Sequence, residues 1–372
     1  MPGSQDKLGS LPGAPSRAAA ASLGACFGNG SKRLCYTWRL GAELCAFLLL
    51  AAAGLFQAAF AVPIKHTRGW RWEQVWAAQS VTANLLFPLL WAAMVPRAFW
   101  EQCLGLPAAH WIACYAWGLL WGAGGVTYGL ALARLGMAFA NSFTLGVSIL
   151  AGALLPLLFK AVKTPVRPLS FVAGLLLCLI STALLGWFRR HGARKPLVAL
   201  SFRLDSYGLV LAIAMISGIL SASYGLALSF RFETVGALAR DNVSPFSASL
   251  AVLLPVYLGG ASVAIPFALF WAARSHSLDL FVRPDARWNW TMACIMGLCA
   301  AGTALCYNLG STMRGHPFPN VSFAIFMAFF VLGGVALGFH GGEMRGSRRA
   351  DQAGLLLSAC GLVAAAGLLN AR

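Results

Sequence analysis

Residues 111–159 read WIACYAWGLLWGAGGVTYGLALARLGMAFANSFTLGVSILAGALLPLLF, and Arg134 is the sole charged side chain in the run. About 20 consecutive apolar residues carry a helix across the hydrocarbon core of a bilayer. The stretch therefore holds two crossings, 111–133 and 137–159, with Arg134-Leu135-Gly136 as the turn between them. Reading outward adds runs at 42–63, 75–95, 168–188, 207–230, 246–272, 290–312, 319–340 and 353–370. Charge and turn residues separate them, as in Lys65-His66-Thr67-Arg68-Gly69 and from Arg189 to Arg203. Cys306, Tyr307 and Asn308 make 290–312 the most dilute of the runs.

Composition agrees with this reading. The chain is 59% apolar and 10% charged, against about 45–50% and about 25% in soluble domains. A soluble globule cannot bury so much apolar side chain, so the excess faces lipid. The sequence thus predicts an all-α integral membrane protein with ten transmembrane helices. Residues 1–40, rich in Pro, Gly, Ser and Ala, are expected to be a disordered basic tail. Residues 41–190 would form the first transmembrane half and 204–372 the second.

The net charge of +17 does not imply a nucleic-acid partner, because Lys and Arg lie almost wholly in the tail and the short loops. They divide nearly evenly between the two sides, so charge does not set an orientation. Most cysteines, among them Cys114, Cys178 and Cys299, sit in or beside apolar runs, and no CxxC occurs. They read as packing residues.

Weak internal similarity suggests duplication. Gly54, Gln57 and Phe60 parallel Gly218, Ser221 and Tyr224; Gly122, Tyr128 and Arg134 parallel Gly302, Asn308 and Arg314. Both comparisons relate a span to the one five later. Halves with an odd number of spans must insert in opposite orientations, so two inverted five-helix repeats are expected.

No HExxH, P-loop or GxSxG occurs, and no acid lies near the middle of a span. A membrane enzyme using acid–base or metal chemistry is therefore disfavoured, and no cofactor or metal is expected. The polar residues inside the spans are uncharged: Gln57, Asn84, Thr127, Tyr128, Asn141, Thr144, Ser148, Tyr224, Tyr257 and Asn308 among them. Amides and hydroxyls bond sugar hydroxyls, and an aromatic face covers the apolar face of a sugar ring. The same residues also bond between helices, or form an interfacial belt. Gly118, Gly122, Gly125 and Gly129 have the spacing of close helix packing and are not expected to line a cavity.

The stretch Pro63-Ile64-Lys65-His66-Thr67-Arg68-Gly69-Trp70-Arg71-Trp72-Glu73-Gln74-Val75-Trp76 resembles the signature after the first helix of the L-rhamnose–proton symporter family. So does Trp121-Gly122-Ala123-Gly124-Gly125-Val126-Thr127-Tyr128-Gly129-Leu130 with Arg134-Leu135-Gly136-Met137. That family lies in the drug/metabolite transporter superfamily. The resemblance implies ten helices in two inverted halves, a small sugar such as L-rhamnose as substrate, proton coupling and a bacterial inner membrane. Gly125 departs from the family pattern, where an amide is expected, and so does Pro319, near the place of an acid. An exporter of another small metabolite and a membrane-embedded enzyme remain as alternatives at this point.

The solute site is expected near the midplane, from Gln57, Trp121, Tyr128, Asn141 and Tyr224. Unpaired amides and hydroxyls are costly at that depth and need a helix neighbour or a wet cavity. Trp121 and Tyr128 are two helical turns apart and share a face. Glu73, beside Trp72 at the head of the second span, is the candidate proton carrier. The alternative is an acid favoured by the helix N-terminus.

Overall fold

The computed structural model describes residues 29–158, 168–191, 197–202, 204, 206–238, 245–284, 286–313, 319–343 and 347–370. Residues up to Cys45 form a unit of their own, and Ala46–Arg372 form the compact unit that carries the fold. Helix α1 (Asn29–Ala59) begins inside the stretch expected to be a disordered tail. Residues 29–40 contain no proline to end a helix and run without a break into the apolar span. The remainder of the expected tail lies outside the described residues.

The other long helices are α2 (Trp72–Met94), α3 (Ala108–Leu135), α4 (Met137–Leu158), α5 (Pro168–His191), α6 (Tyr207–Leu238), α7 (Leu250–Arg274), α8 (Ala286–Met313), α9 (Pro319–His340) and α10 (Arg349–Asn370). Among the described residues nine helices are long and apolar enough to cross a membrane. The tenth, α3, joins them when taken with the short helix Arg97–Cys103, which meets it at 101°. Glycine, Trp and Tyr lower the mean hydropathy of α3, and these are residues of contact surfaces. Its end is set by Gly136, whose φ of +80° suits a residue without a Cβ. Large apolar side chains such as Leu90, Met94, Leu169 and Ile216 remain exposed and belong to lipid.

Packing follows a simple rule. Helix α3 packs on α6 and α7, and α4 on α5, α6 and α9. Helix α2 packs on α7 and α8, α5 on α10, and α9 on α10. Helix α1 meets α8 and α9, since Cβ atoms added at Gly302, Gly310 and Gly54 would strike Phe56, Leu50 and Phe326. Replacing each helix by the one five later leaves these pairs unchanged, whereas the α2–α3 and α4–α10 contacts have no counterpart of like extent among the described residues. The pairing of Gly54 with Gly218 holds in detail, since Gly54 lies against α9 and Gly218 against α4. The pairing of Gly122 with Gly302 does not: Gly122 faces α7, whereas Gly302 faces α1.

Helices α3 and α7 approach backbone to backbone. A Cβ at Gly118 would lie 2.3 Å from the Val256 carbonyl oxygen, and one at Gly259 would lie 2.4 Å from that of Tyr115. At Gly122 it would lie 2.7 Å from the Cα of Gly260. Backbone meets backbone here, which only glycine permits. Overpacking of such a contact costs about 1–3 kcal/mol or more. Gly122→Val should therefore lower the thermal unfolding midpoint in detergent by several degrees. Gly152→Ala, at an exposed position where a Cβ meets nothing within 4 Å, should leave it unchanged. Equal midpoints for the two variants would remove the seam's role.

Candidate functional site

The 63–76 stretch builds a clasp at one end of the bundle. Pro63 opens a 3-10 turn over Val62–His66, and the Thr67 hydroxyl donates back to the Ile64 carbonyl at 2.8 Å. Gly69 turns the chain with φ +67°. The Gln74 side chain accepts the Arg71 N–H at 3.0 Å, which satisfies a free donor at the start of α2. Most of the remaining polar groups reach the α7–α8 connection. The Arg68 N–H and carbonyl both bond Asn289 at 2.7 Å, and Gln74 Nε2 donates to Ser277. The Trp70 indole donates to Leu280, while the Trp72 N–H donates to Ala199 in the α5–α6 connection at 2.8 Å.

Glu73 is fully buried within this clasp. Its Oε1 accepts the Ser275 hydroxyl at 3.3 Å, and its Oε2 has no hydrogen-bond partner among the described residues. Nearby, Lys65 Nζ lies 2.8 Å from Glu343 Oε1. Glu343 Oε2 accepts the Ala138 N–H at 3.0 Å, in the first turn of α4, where an anion is favoured. One carboxylate thereby ties the end of α9 to the start of α4 and to the turn after α1.

Beneath the clasp lies an aromatic and polar interior. Trp72 and Trp76, one helical turn apart on α2, stack at 5.6 Å with their planes 13° apart. Trp76 then meets Tyr128 at 6.4 Å. Gly129 makes room for it, since a Cβ there would lie 2.7 Å from the Trp76 ring. The Tyr128 hydroxyl donates to Asn141 Oδ1 across α3 and α4. Asn141 Nδ2 is buried without a partner, as is the Thr144 hydroxyl one turn along α4. Two turns along α3 from Tyr128, Trp121 packs on Tyr224 at 5.5 Å and Tyr257 at 5.4 Å. The two tyrosines hydrogen-bond to each other.

The residues expected to form one site are thus two pairs. Tyr128 and Asn141 form one, Trp121 and Tyr224 the other, about 10 Å apart along α3. Gln57 is half-buried on α1 and hydrogen-bonds to neither pair. Sequence reasoning missed Trp72 and Trp76, named Tyr257 only among the polar residues of the spans, and missed the Lys65–Glu343 tie. The i, i+4 spacing of the two tryptophans was the signal available for them. Nothing local announces an ion pair between residues so far apart in the chain. Gly125 was grouped with the packing glycines, yet a Cβ there would meet nothing within 4 Å. Among the described residues no group of three or more His, Cys, Asp or Glu gathers to hold a metal.

Many helices long and apolar enough to cross a membrane, around an interior of indoles, hydroxyls and amides, define a multi-pass membrane protein. The sequence model of the L-rhamnose-proton symport protein family matches residues 43–371, and the chain belongs to that family. Its members are transporters, not enzymes. The L-rhamnose-proton symporter of Cronobacter sakazakii is 25% identical over 84% of this chain and 93% of its own length. That of Klebsiella pneumoniae is 24% identical, with the same coverage. A solved crystal structure with 19% identity aligns over 87% of this chain and 97% of its own, with a TM-score of 0.52, and shares the fold.

Glu343 makes two contacts and Lys65 one, so the tie should respond unequally to mutation. Hydrogen bonds to charged groups contribute about 1.5–3 kcal/mol when part-buried. Glu343→Met, which removes both contacts, should lower the thermal midpoint in detergent more than Lys65→Met. Equal shifts would mean that the bond to Ala138 contributes nothing.

Proposed function

We propose that this chain is a secondary transporter of a small sugar, a deoxyhexose of the L-rhamnose kind, moved together with protons across a bacterial inner membrane. The match of residues 43–371 to the symporter family carries this reading. Sugar as substrate fits the interior, because a neutral polyhydroxy solute needs directed hydrogen bonds and apolar faces rather than a buried counter-charge. Trp121, Tyr224 and Tyr257 offer ring faces to the C–H surface of a pyranose. Tyr128 and Asn141, with an amide hydrogen to spare, offer donors and acceptors for its hydroxyls. Gln57 stands apart in this conformation and would join on rearrangement of the halves. The enterobacterial relatives support a bacterial inner membrane.

Proton coupling is assigned to Glu73. This carboxyl is fully buried, with one oxygen held by Ser275 and the other without a partner among the described residues. It lies in the clasp that joins α2 to the α7–α8 connection, so its charge state acts on the contact between the halves. Alternating access by rocking one half against the other is the motion such a design permits.

In proteoliposomes loaded with a pH dye, addition of L-rhamnose should drive proton uptake. Trp121→Ala should weaken sugar binding about tenfold, the size of a lost aromatic contact, well beyond what its loss of stability explains. Glu73→Gln should bind sugar but no longer move protons with it. Unchanged coupling in that variant would clear Glu73, and unchanged binding on loss of Trp121 would move the site elsewhere.

A further inference from the structure

Helix α2 is not regular. Residues Val81–Leu86 form a π-helical turn, in which the Phe87 N–H reaches back to the Thr82 carbonyl five residues away. The cause is local. Pro88 has no N–H to offer the Asn84 carbonyl four residues back, so the ladder widens there. The turn carries Asn84.

Asn84 faces inward. Leu86, Leu90 and Met94 are exposed to lipid at 44%, 50% and 84%. Asn84 precedes Leu86 by two residues, which puts it about half a turn around the helix from that face. It is half-buried, and its amide bonds to no group among the described residues. In hydrocarbon an unpaired amide costs several kcal/mol. An inward amide left without a protein partner therefore needs water or a ligand.

The space beside it is defined by α3 and α7. A Cβ added at Gly260 would lie 2.9 Å from the Trp121 ring and 3.8 Å from Asn84 Nδ2, so the indole and the amide meet over one glycine. Gly125 lies one turn along α3 from Trp121, between it and Tyr128. Its neighbours on the same seam, Gly122 and Gly129, are jammed against Gly260 and Trp76. Gly125 is half-buried, yet a Cβ there meets nothing within 4 Å. The other described glycines with that much room, Gly41, Gly152, Gly225 and Gly367, are all exposed on helix surfaces. The opening at Gly125 is internal.

We infer that Asn84 is a sugar-binding residue, presented by the π-turn into a polar subsite whose size is set by Gly125. This rests on the sugar-transport reading above. The ligand class is a vicinal diol of a neutral pyranose, which can accept from the amide N–H2 and donate to its oxygen at once. Trp121 covers the adjoining ring face, so the subsite links the two aromatic and polar pairs described above.

The test uses the full-length protein in nanodiscs, titrated with L-rhamnose and read by Trp fluorescence. Asn84→Ala should weaken binding about tenfold or more, and Asn84→Asp or Asn84→Gln should retain part of it. Gly125→Leu should abolish binding with the thermal midpoint preserved. Gly125→Ala, which adds a methyl to open space, should fold normally and bind more weakly than the parent. Independently of the sugar's identity, Asn84→Cys should react with a water-soluble methanethiosulfonate faster than the parent chain's own cysteines, and L-rhamnose should protect it. Parental affinity in both Asn84→Ala and Gly125→Ala, or an unreactive Cys at position 84, overturns the inference while sugar transport stands. A parent protein that binds no deoxyhexose overturns the transport reading and this inference with it.

Discussion

Helices surrounded by hydrocarbon gain nothing from the hydrophobic effect when they touch, because lipid tails are as apolar as leucine. What holds this protein together is close packing, and at the α3–α7 seam backbone packs on backbone. Gly118, Gly122, Gly259 and Gly260 bring two backbones into contact where a single methyl group would intrude. Helix α3 also packs along α6, where Ser217 donates to the Gly124 carbonyl at 2.9 Å. Elements of both halves therefore converge on one glycine-rich helix. The same seam positions Trp121 over Gly260 and Trp76 over Gly129, so the aromatic interior depends on it.

The second constraint is that buried polar groups need partners. At the end of the bundle where α1 turns into α2, the loops satisfy one another: Arg68 with Asn289, Gln74 with Ser277, Trp72 with Ala199, and Glu343 with Lys65 and Ala138. These contacts cross between the halves and close that end over Trp72 and Trp76. Deeper in, the rule is relaxed at a few atoms. Glu73 Oε2, Asn141 Nδ2 and Thr144 Oγ1 are buried without partners among the described residues, and the Asn84 amide is half-buried without one. Other such atoms, among them Trp72 Nε1, Trp76 Nε1 and Asp351 Oδ2, lie elsewhere in the bundle.

The symmetry of the helix neighbours links the fold to the proposed mechanism. Helices α2, α4 and α5 each pack against their own counterparts α7, α9 and α10. In the proposed mechanism, sliding at these contacts opens one end as it closes the other. Clasp residues come mainly from the α1–α2 connection, α2 and the α7–α8 connection, and Glu73 lies among them.

The sequence by itself determined that this is a helical membrane protein. Apolar runs of spanning length, such as 137–159 and 207–230, leave a chain in lipid no other way to satisfy its backbone. The 63–76 and 121–130 motifs pointed to the family, and the polar inventory inside the spans named Trp121, Tyr128, Asn141 and Tyr224 as candidates. Periodicity reports which residues share a helix face, but not which face a neighbouring helix presents. Only the tertiary structure decided that Tyr128 bonds Asn141 while Trp121 pairs with Tyr224, that Gly125 opens onto space while Gly122 is jammed, and that Lys65 meets Glu343. Each of these is a contact between residues distant in the chain. It is set by how closely two backbones approach, and that distance is not written in either segment alone.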